Sequence, residues 1–288
     1  MDFPAALKER RASRRLSQLE LALLAGTTQR HLSFIESGRS VPGREMVVRL
    51  TESLGLPLRE RNQLLLAAGY APAYPETALD SPDIAPVLAA LTHVLDAHMP
   101  YPAIVIDKYG EIVAANAGQR ILAEGSAEHV RANAYRLALH PEGMAPRIAN
   151  FAEWGWHVLN AMTAELNRNP DKRLAALHAE LSQYVPAAPV GPGHLGFAVP
   201  LQLRTFQGEL RLMTTITSFA TAVDVTVSEL KLEAFLPADQ ATATALSREA
   251  ERPGRGNSAA SPSMTVSLAA RRAGITEASS AATPASAM

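Results

Sequence analysis

The chain has 288 residues, with 27 Lys and Arg against 28 Asp and Glu, a formal net charge of −1. That length suits about two domains, and the charge balance excludes a polycation coating nucleic acid with its whole surface. There is no cysteine, which excludes disulfides, thiolate metal sites and cysteine nucleophiles.

The chain opens with a predicted helix from Phe3 to about Arg14, with Phe3, Leu7 and the stem of Arg11 facing inward. Charge is uneven here. Residues 1–60 hold ten Lys/Arg against seven Asp/Glu, a surplus of three, and Lys8, Arg10, Arg11, Arg14 and Arg15 form a basic cluster suited to phosphate contacts. Ser17 and Glu20 make the S-x-x-E capping box of a second helix, about Gln18 to Ala25, and Gly26 ends it in a tight turn. Thr28 is placed to cap a third helix, Gln29 to about Glu36, closed by Gly38. Leu21, Ala22, Ala25, Leu32 and Ile35 fall on inward faces. Gln29, Arg30, His31, Ser33 and Phe34 are left outward, and glutamine and arginine are the side chains that pair bidentately with adenine and guanine edges. Two further helices follow, Arg44–Ser53 and Leu58–Ala68, closed by Gly55 and Gly69. Residues 1–70 thus read as a five-helix domain, and 71–97 as a proline-rich linker and a connecting helix carrying Val87, Leu88, Leu91 and Leu95 on one face.

Residues 98–247 change character. The runs AIVI and EIVA flank the turn D-K-Y-G at 107–110, a hairpin signal, and Asn116 and a short helix follow. Helices are expected over 148–166, carrying Phe151, Trp154, Val158, Leu159 and Met162, and over 174–184. Segments 198–204 and 209–219 flank T-F-Q-G as a second hairpin, and about 227–235 is a fifth strand. The expected architecture is α+β: one antiparallel sheet of about five strands backed by helices. Residues 248–288, rich in Ala, Ser, Thr and Pro, read as a disordered tail.

No catalytic constellation stands out. Gly191-Pro-Gly193-His-Leu-Gly196 spells G-x-G-x-x-G but leads into a strand, whereas a dinucleotide site leads from a strand into a helix. The eight histidines do not fall at metal-ligand spacing with carboxylates, so no metal, cofactor or enzymatic activity is expected. His157 and the pair Trp154 and Trp156 read as packing before pocket lining. No segment approaches the roughly 18 consecutive apolar residues of a membrane span, and no signal peptide opens the chain, so a cytoplasmic protein without membrane contact is expected.

Gln18, Ala22, Gly26, Leu32, Ser33, Ile35, Glu36 and Gly38 stand as they do in the XRE (Cro/C1-type) helix-turn-helix regulators, which this segment resembles. Thr27 replaces a usual aliphatic residue and Gly43 a usual capping Ser or Thr. The phrases PYPAIVID, HPEGMAPRIANFAEW and DVTVSELKLEAFLPAD resemble the MmyB-like, PAS-like ligand-binding domain that follows the helix-turn-helix in one branch of that family. The resemblance implies a sequence-specific transcriptional regulator that binds double-stranded DNA. A domain this small needs two copies for useful affinity, and twofold symmetry then predicts a homodimer on an inverted repeat. Gln18, Thr28 and Arg39 would meet phosphates; Gln29, Arg30, His31, Ser33 and Phe34 would face the groove. It also implies a small, mainly apolar, fatty-acid-like ligand in the second domain. A sheet-plus-helix fold holds such ligands with a few polar groups, and Asn116, Arg147 and Asn150, with Trp154, are the candidate contacts read from the sequence. The alternative is a non-catalytic scaffold that uses the helical domain for protein contacts.

Overall fold

A computed structural model of the protein describes residues 2–186, 199–219 and 221–251. The chain divides into two compact units, Met1–Leu91 with Ile216–Leu232, and Thr92–Thr215 with the residues from Glu233 on. The expected G-x-G-x-x-G loop and most of the expected tail lie outside the described residues.

The first unit is built on five helices: α1 (Phe3–Ser13), α2 (Gln18–Leu24), α3 (Gln29–Glu36), α4 (Arg44–Ser53) and α5 (Leu58–Ala67). Local chemistry sets their ends. Ser17 and Glu20 close the full capping box on α2, and Thr28 Oγ1 accepts the His31 N–H to cap α3. Gly26 at φ +63° lets the chain leave α2 and re-enter a helix three residues later, a conformation other residues enter at a cost. Gly43 precedes α4 without any side-chain cap. The helices enclose one core in which Leu7, Leu21, Leu32, Ile35, Leu50 and Leu65 are fully buried.

Buried polar groups pin this core. Arg11 forks onto Glu36 at 2.7 and 2.9 Å and donates to Leu16 O, and Arg10 pairs with Glu60 at 2.6 Å. The basic cluster expected to serve phosphates therefore spends two members internally. Charge alone could not reveal this, because their partners lie 25 and 50 residues away. Asn62 on α5 accepts Ala73 N–H and Tyr74 N–H and donates to Tyr74 O, which fastens the segment after α5.

Residues 216–232 complete this unit. The helix α12 (Val225–Glu229) is capped by Asp224, whose other oxygen accepts from Thr77 backbone and side chain at 3.0 and 2.7 Å. Val225 is fully buried, and its N–H bonds Pro75 O. Arg59 forks onto Glu229 at 2.7 and 3.0 Å and reaches Glu76 at 2.6 Å, and the bond to Glu229 holds the guanidinium well above its ordinary pKa despite its burial. The strand expected from about Val227 is thus helical at its start, because Asp224 supplies a helix cap. Part-exposed but bidentate, the Arg59–Glu229 pair should contribute about 1 kcal/mol. Arg59→Ala is expected to accelerate amide hydrogen exchange across residues 224–230 about fivefold, the factor matching that energy. Unchanged exchange there would remove the pair from the forces holding this segment.

Helix α6 (Ala85–Ala97) runs from the first unit into the second, which holds most of a five-stranded sheet of order β2-β1-β5-β4-β3. The strands are β1 (Ala103–Ile106), β2 (Ile112–Ala115), β3 (Leu201–Thr205), β4 (Gly208–Ser218) and β5 (Lys231–Pro237). Pairs β1–β2 and β3–β4 are antiparallel hairpins, as the two turn motifs predict. Short helices α7 (Arg120–Ala123), α8 (Glu128–Arg131) and α9 (Ala134–Leu139) follow β2, then α10 (Phe151–Arg168), α11 (Lys172–Ser182) and, after β5, α13 (Gln240–Ala250). Asp171 accepts Arg173 N–H and Leu174 N–H, which starts α11 two residues before the apolar spacing shows. Ile148, expected as helix, instead bridges Leu203 of β3, and α10 begins at Phe151. Trp154, Leu159 and Met162 of α10 are buried together with Ile104, Leu139, Leu203 and Phe235.

Candidate nucleic-acid interface and ligand-binding unit

The α2–turn–α3 pair presents the outward face of α3. Gln29 and Arg30 on its first turn, and Arg39 beyond its end, are exposed, with no hydrogen-bonded side-chain partner among the described residues. Phe34 is half-buried and lies beneath both arginines, with the Arg30 guanidinium 5.4 Å and that of Arg39 6.0 Å from its ring centre. A ring face attracts a cation by its quadrupole, so Phe34 limits where the two charges can point. His31 Nδ1 lies 2.9 Å from Thr27 Oγ1, so the hydroxyl at this unusual position restrains the imidazole. Ser33 is half-buried.

Two expected phosphate contacts also do structural work. Thr28 Oγ1 accepts the cap bond, leaving its hydroxyl proton available. Gln18 Nε2 donates to Glu36 Oε2 at 2.8 Å, which commits one of its two amide hydrogens. Glu36 therefore gathers Arg11 from α1 and Gln18 from α2 onto the last residue of α3. Burial alone would raise its carboxyl pKa, and the hydrogen bonds from Arg11 and Gln18 outweigh that, holding it below the ordinary carboxylate value.

Residues 7–61 match the family described as Helix-turn-helix, and residues 87–248, more than half the chain, match the family described as MmyB-like transcription regulator ligand binding domain. The chain belongs to the MmyB-like transcription regulators. No individual curated protein matches it. The two families are DNA-binding and ligand-binding modules, not catalytic ones, so this MmyB-like chain is a DNA-binding transcription regulator. Among the described residues no helix is long and apolar enough to cross a membrane.

In the ligand-binding unit of this regulator the four residues singled out from the sequence are held by the protein's own groups. Asn116 is buried, donates to Leu95 O and Tyr101 O, and accepts Ala103 N–H. Asn150 donates to Pro200 O and accepts Gln202 N–H, joining the start of α10 to β3. Arg147 donates to Ile121 O and Leu122 O at the end of α7, and burial holds its guanidinium below the ordinary value against the pull of Glu124. Trp154 is 5% exposed and sits in the core, whereas Trp156 donates to Pro186 O.

A cavity of about 470 Å³ lies elsewhere in this unit, walled by Met99, Arg120, Ile121, Glu124, Phe206 and Leu246 among others. None of the four expected residues lines it, although Glu124 links its wall to Arg147. Its walls come from the stretch before β1, from α7, from the β3–β4 turn and from α13, segments far apart in sequence, and the helix over 240–250 is not among the predicted elements. One local signal was present: Asp239 followed by Thr242 marks a helix cap, and the Asp239 carboxylate does accept the Thr242 N–H at 2.7 Å.

Proposed function

We propose that this MmyB-like regulator reads an inverted-repeat operator as a homodimer, with the first turn of α3 in the major groove. The observation that carries the proposal is the exposure of Gln29 and Arg30, with no side-chain hydrogen bond among the described residues, at the start of a capped helix. Gln29 and Arg30 supply base-edge contacts, His31 and Ser33 flank them, and Phe34 steers Arg30 and Arg39 from below. Arg39, the Thr28 hydroxyl and the second Gln18 amide hydrogen meet phosphates and set register. Two copies related by a twofold axis place half-site centres about 34 Å apart, one helical turn, or a multiple of it.

We further propose that a small ligand with an apolar body and a polar end occupies the cavity beside Ile121, Phe206 and Leu246. Arg120 and Glu124 are polar groups on its wall that would fix orientation. Asn116, Arg147, Asn150 and Trp154 then act behind the wall, as supports of the fold around it.

Selection of bound fragments from genomic DNA by the full-length chain, with and without an apolar cell extract, tests both parts. The expected result is an enriched inverted repeat whose binding weakens steeply with salt, and a shift of about 5–150-fold in affinity with the active extract fraction. Binding without sequence preference or salt dependence would favour the scaffold reading. An operator affinity indifferent to every fraction would sink the ligand coupling alone.

A further inference from the structure

Three side chains of the ligand-binding unit converge where their spacing in sequence gives no hint of it. His129 stands on α8, His140 ends α9, and Glu142 follows in the turn His140-Pro141-Glu142-Gly143. One ligand atom from each lies within 4.8 Å of the other two. His129 Nε2 is 3.3 Å from Glu142 Oε2, and the two imidazoles meet edge to face with centres 5.6 Å apart.

The backbone beneath them is fixed. Ala127 N–H bonds Glu142 O at 2.9 Å, tying the start of α8 to the turn. Gly143 N–H bonds His140 O at 2.8 Å and Met144 N–H bonds Leu137 O at 2.7 Å. A Cβ at Gly143 would lie 2.3 Å from Leu137 O, so the turn sits flat on α9 in a way only glycine permits. The ring of Tyr184 packs edge-on against His140 at 4.9 Å from the other side. Both histidine backbones are thus held in place, while the His129 and Glu142 side chains reach solvent.

Two imidazole nitrogens and one carboxylate oxygen form the donor set of a borderline first-row dication, and an outward position is left for water. We propose that His129, His140 and Glu142 bind one such cation, zinc in class. The approach of three donors held on tied segments carries the proposal, since ordering them costs little further entropy. His140 Nδ1 accepts the Glu142 N–H at 3.1 Å, which puts the proton of the neutral ring on Nε2. A cation at Nδ1 takes that lone pair, and a cation at Nε2 moves the ring proton to Nδ1. Either route ends the hydrogen bond, so loading shifts the 140–143 turn, and the Nε2 route also relocates the ring proton.

The test uses tag-free full-length protein, stripped with a chelator and titrated with Zn²⁺ against a chromophoric competitor. One tight equivalent per chain is expected. His129→Ala changes an exposed side chain, and it should weaken binding by more than the roughly 10–100-fold that loss of a mere outer-sphere partner costs. Glu142→Gln should weaken it as well, and His93→Ala with His98→Ala, on α6 and just past its end, should leave it unchanged. In amide NMR spectra Zn²⁺ should shift Glu142 and Gly143 selectively. Absence of a Zn²⁺ equivalent in the wild type would overturn the proposal. So would affinity unaltered by His129→Ala and Glu142→Gln, with residues 140–143 unshifted.

Discussion

Arg11→Ala is expected to destabilise the DNA-binding unit by about 3 kcal/mol, the lower part of the range for removing one partner of a buried ion pair. The Glu36 side chain is 2% exposed and that of Arg11 13%, so the carboxylate left behind keeps only the Gln18 amide. The size comes from that stranded charge more than from the pair's own net value, because taking both groups out of water offsets much of their attraction. Arg11→Met combined with Glu36→Leu removes the charge together with its partner, and it should recover most of the loss. Calorimetry on the full chain, with the first unit's transition followed separately, distinguishes the variants. A single substitution within about 0.5 kcal/mol of wild type would show that solvent or another group satisfies Glu36.

The same pair gives the unit an acid limit. The Glu36 carboxyl is held below its ordinary value in the folded state, so its contribution is full above the unfolded value of about 4.3. It is lost as pH falls through the lower native value. Glu36→Gln should flatten the stability profile below about pH 5 while lowering stability near neutrality. There is a functional consequence. Glu36 ends α3 and is gripped from α1 and α2, so loosening it frees the tilt of the helix proposed to read DNA. Operator affinity of Arg11→Ala should fall even though Arg11 itself touches no base in the proposed arrangement.

Arg30→Ala is expected to weaken operator binding by about 1–3 kcal/mol, roughly 5–150-fold, and to relax preference at one base position. Arg30 is exposed at the start of α3, poised over the Phe34 ring, and no acidic side chain competes for it among the described residues. Arg30→Lys should recover little, because an ammonium cannot fork onto two acceptors of one guanine. Phe34→Ala should cost part of the same energy by freeing both Arg30 and Arg39. Arg39→Ala, by contrast, should weaken all sequences alike and reduce the salt slope by about one. Binding measured on the selected operator and on single-base variants separates these outcomes. If Arg30→Ala lowered affinity uniformly, Arg30 would be a phosphate contact and the base readout would have to move to Gln29.

Much of the first unit was legible because its signals are local. Ser17 with Glu20, Gly26, Thr28 and Gly38 each act within four residues, so helix ends and turns follow from adjacent chemistry. The second unit was legible where a turn carries its own geometry, as at D-K-Y-G and T-F-Q-G, and misread where a cap overrode pattern, as at Asp171; Asp224 did the same in the first unit. The polar residues proposed from sequence as ligand contacts have the right chemistry for a pocket. Yet Asn116 and Asn150 also have the right chemistry for pinning backbone, and the same amide serves either purpose.

The sequence by itself determined the helix-turn-helix, the exposure of Gln29 and Arg30, and the two hairpins, since periodicity and capping are properties of neighbours along the chain. Only the tertiary structure decided which arginines are spent on Glu36, Glu60 and Glu229, where the cavity lies, and that His129 meets His140 and Glu142. Those outcomes depend on which distant residues share a volume once apolar faces are buried, and hydrophobic burial is set by the whole packed core, with no residue-to-residue code to read in advance.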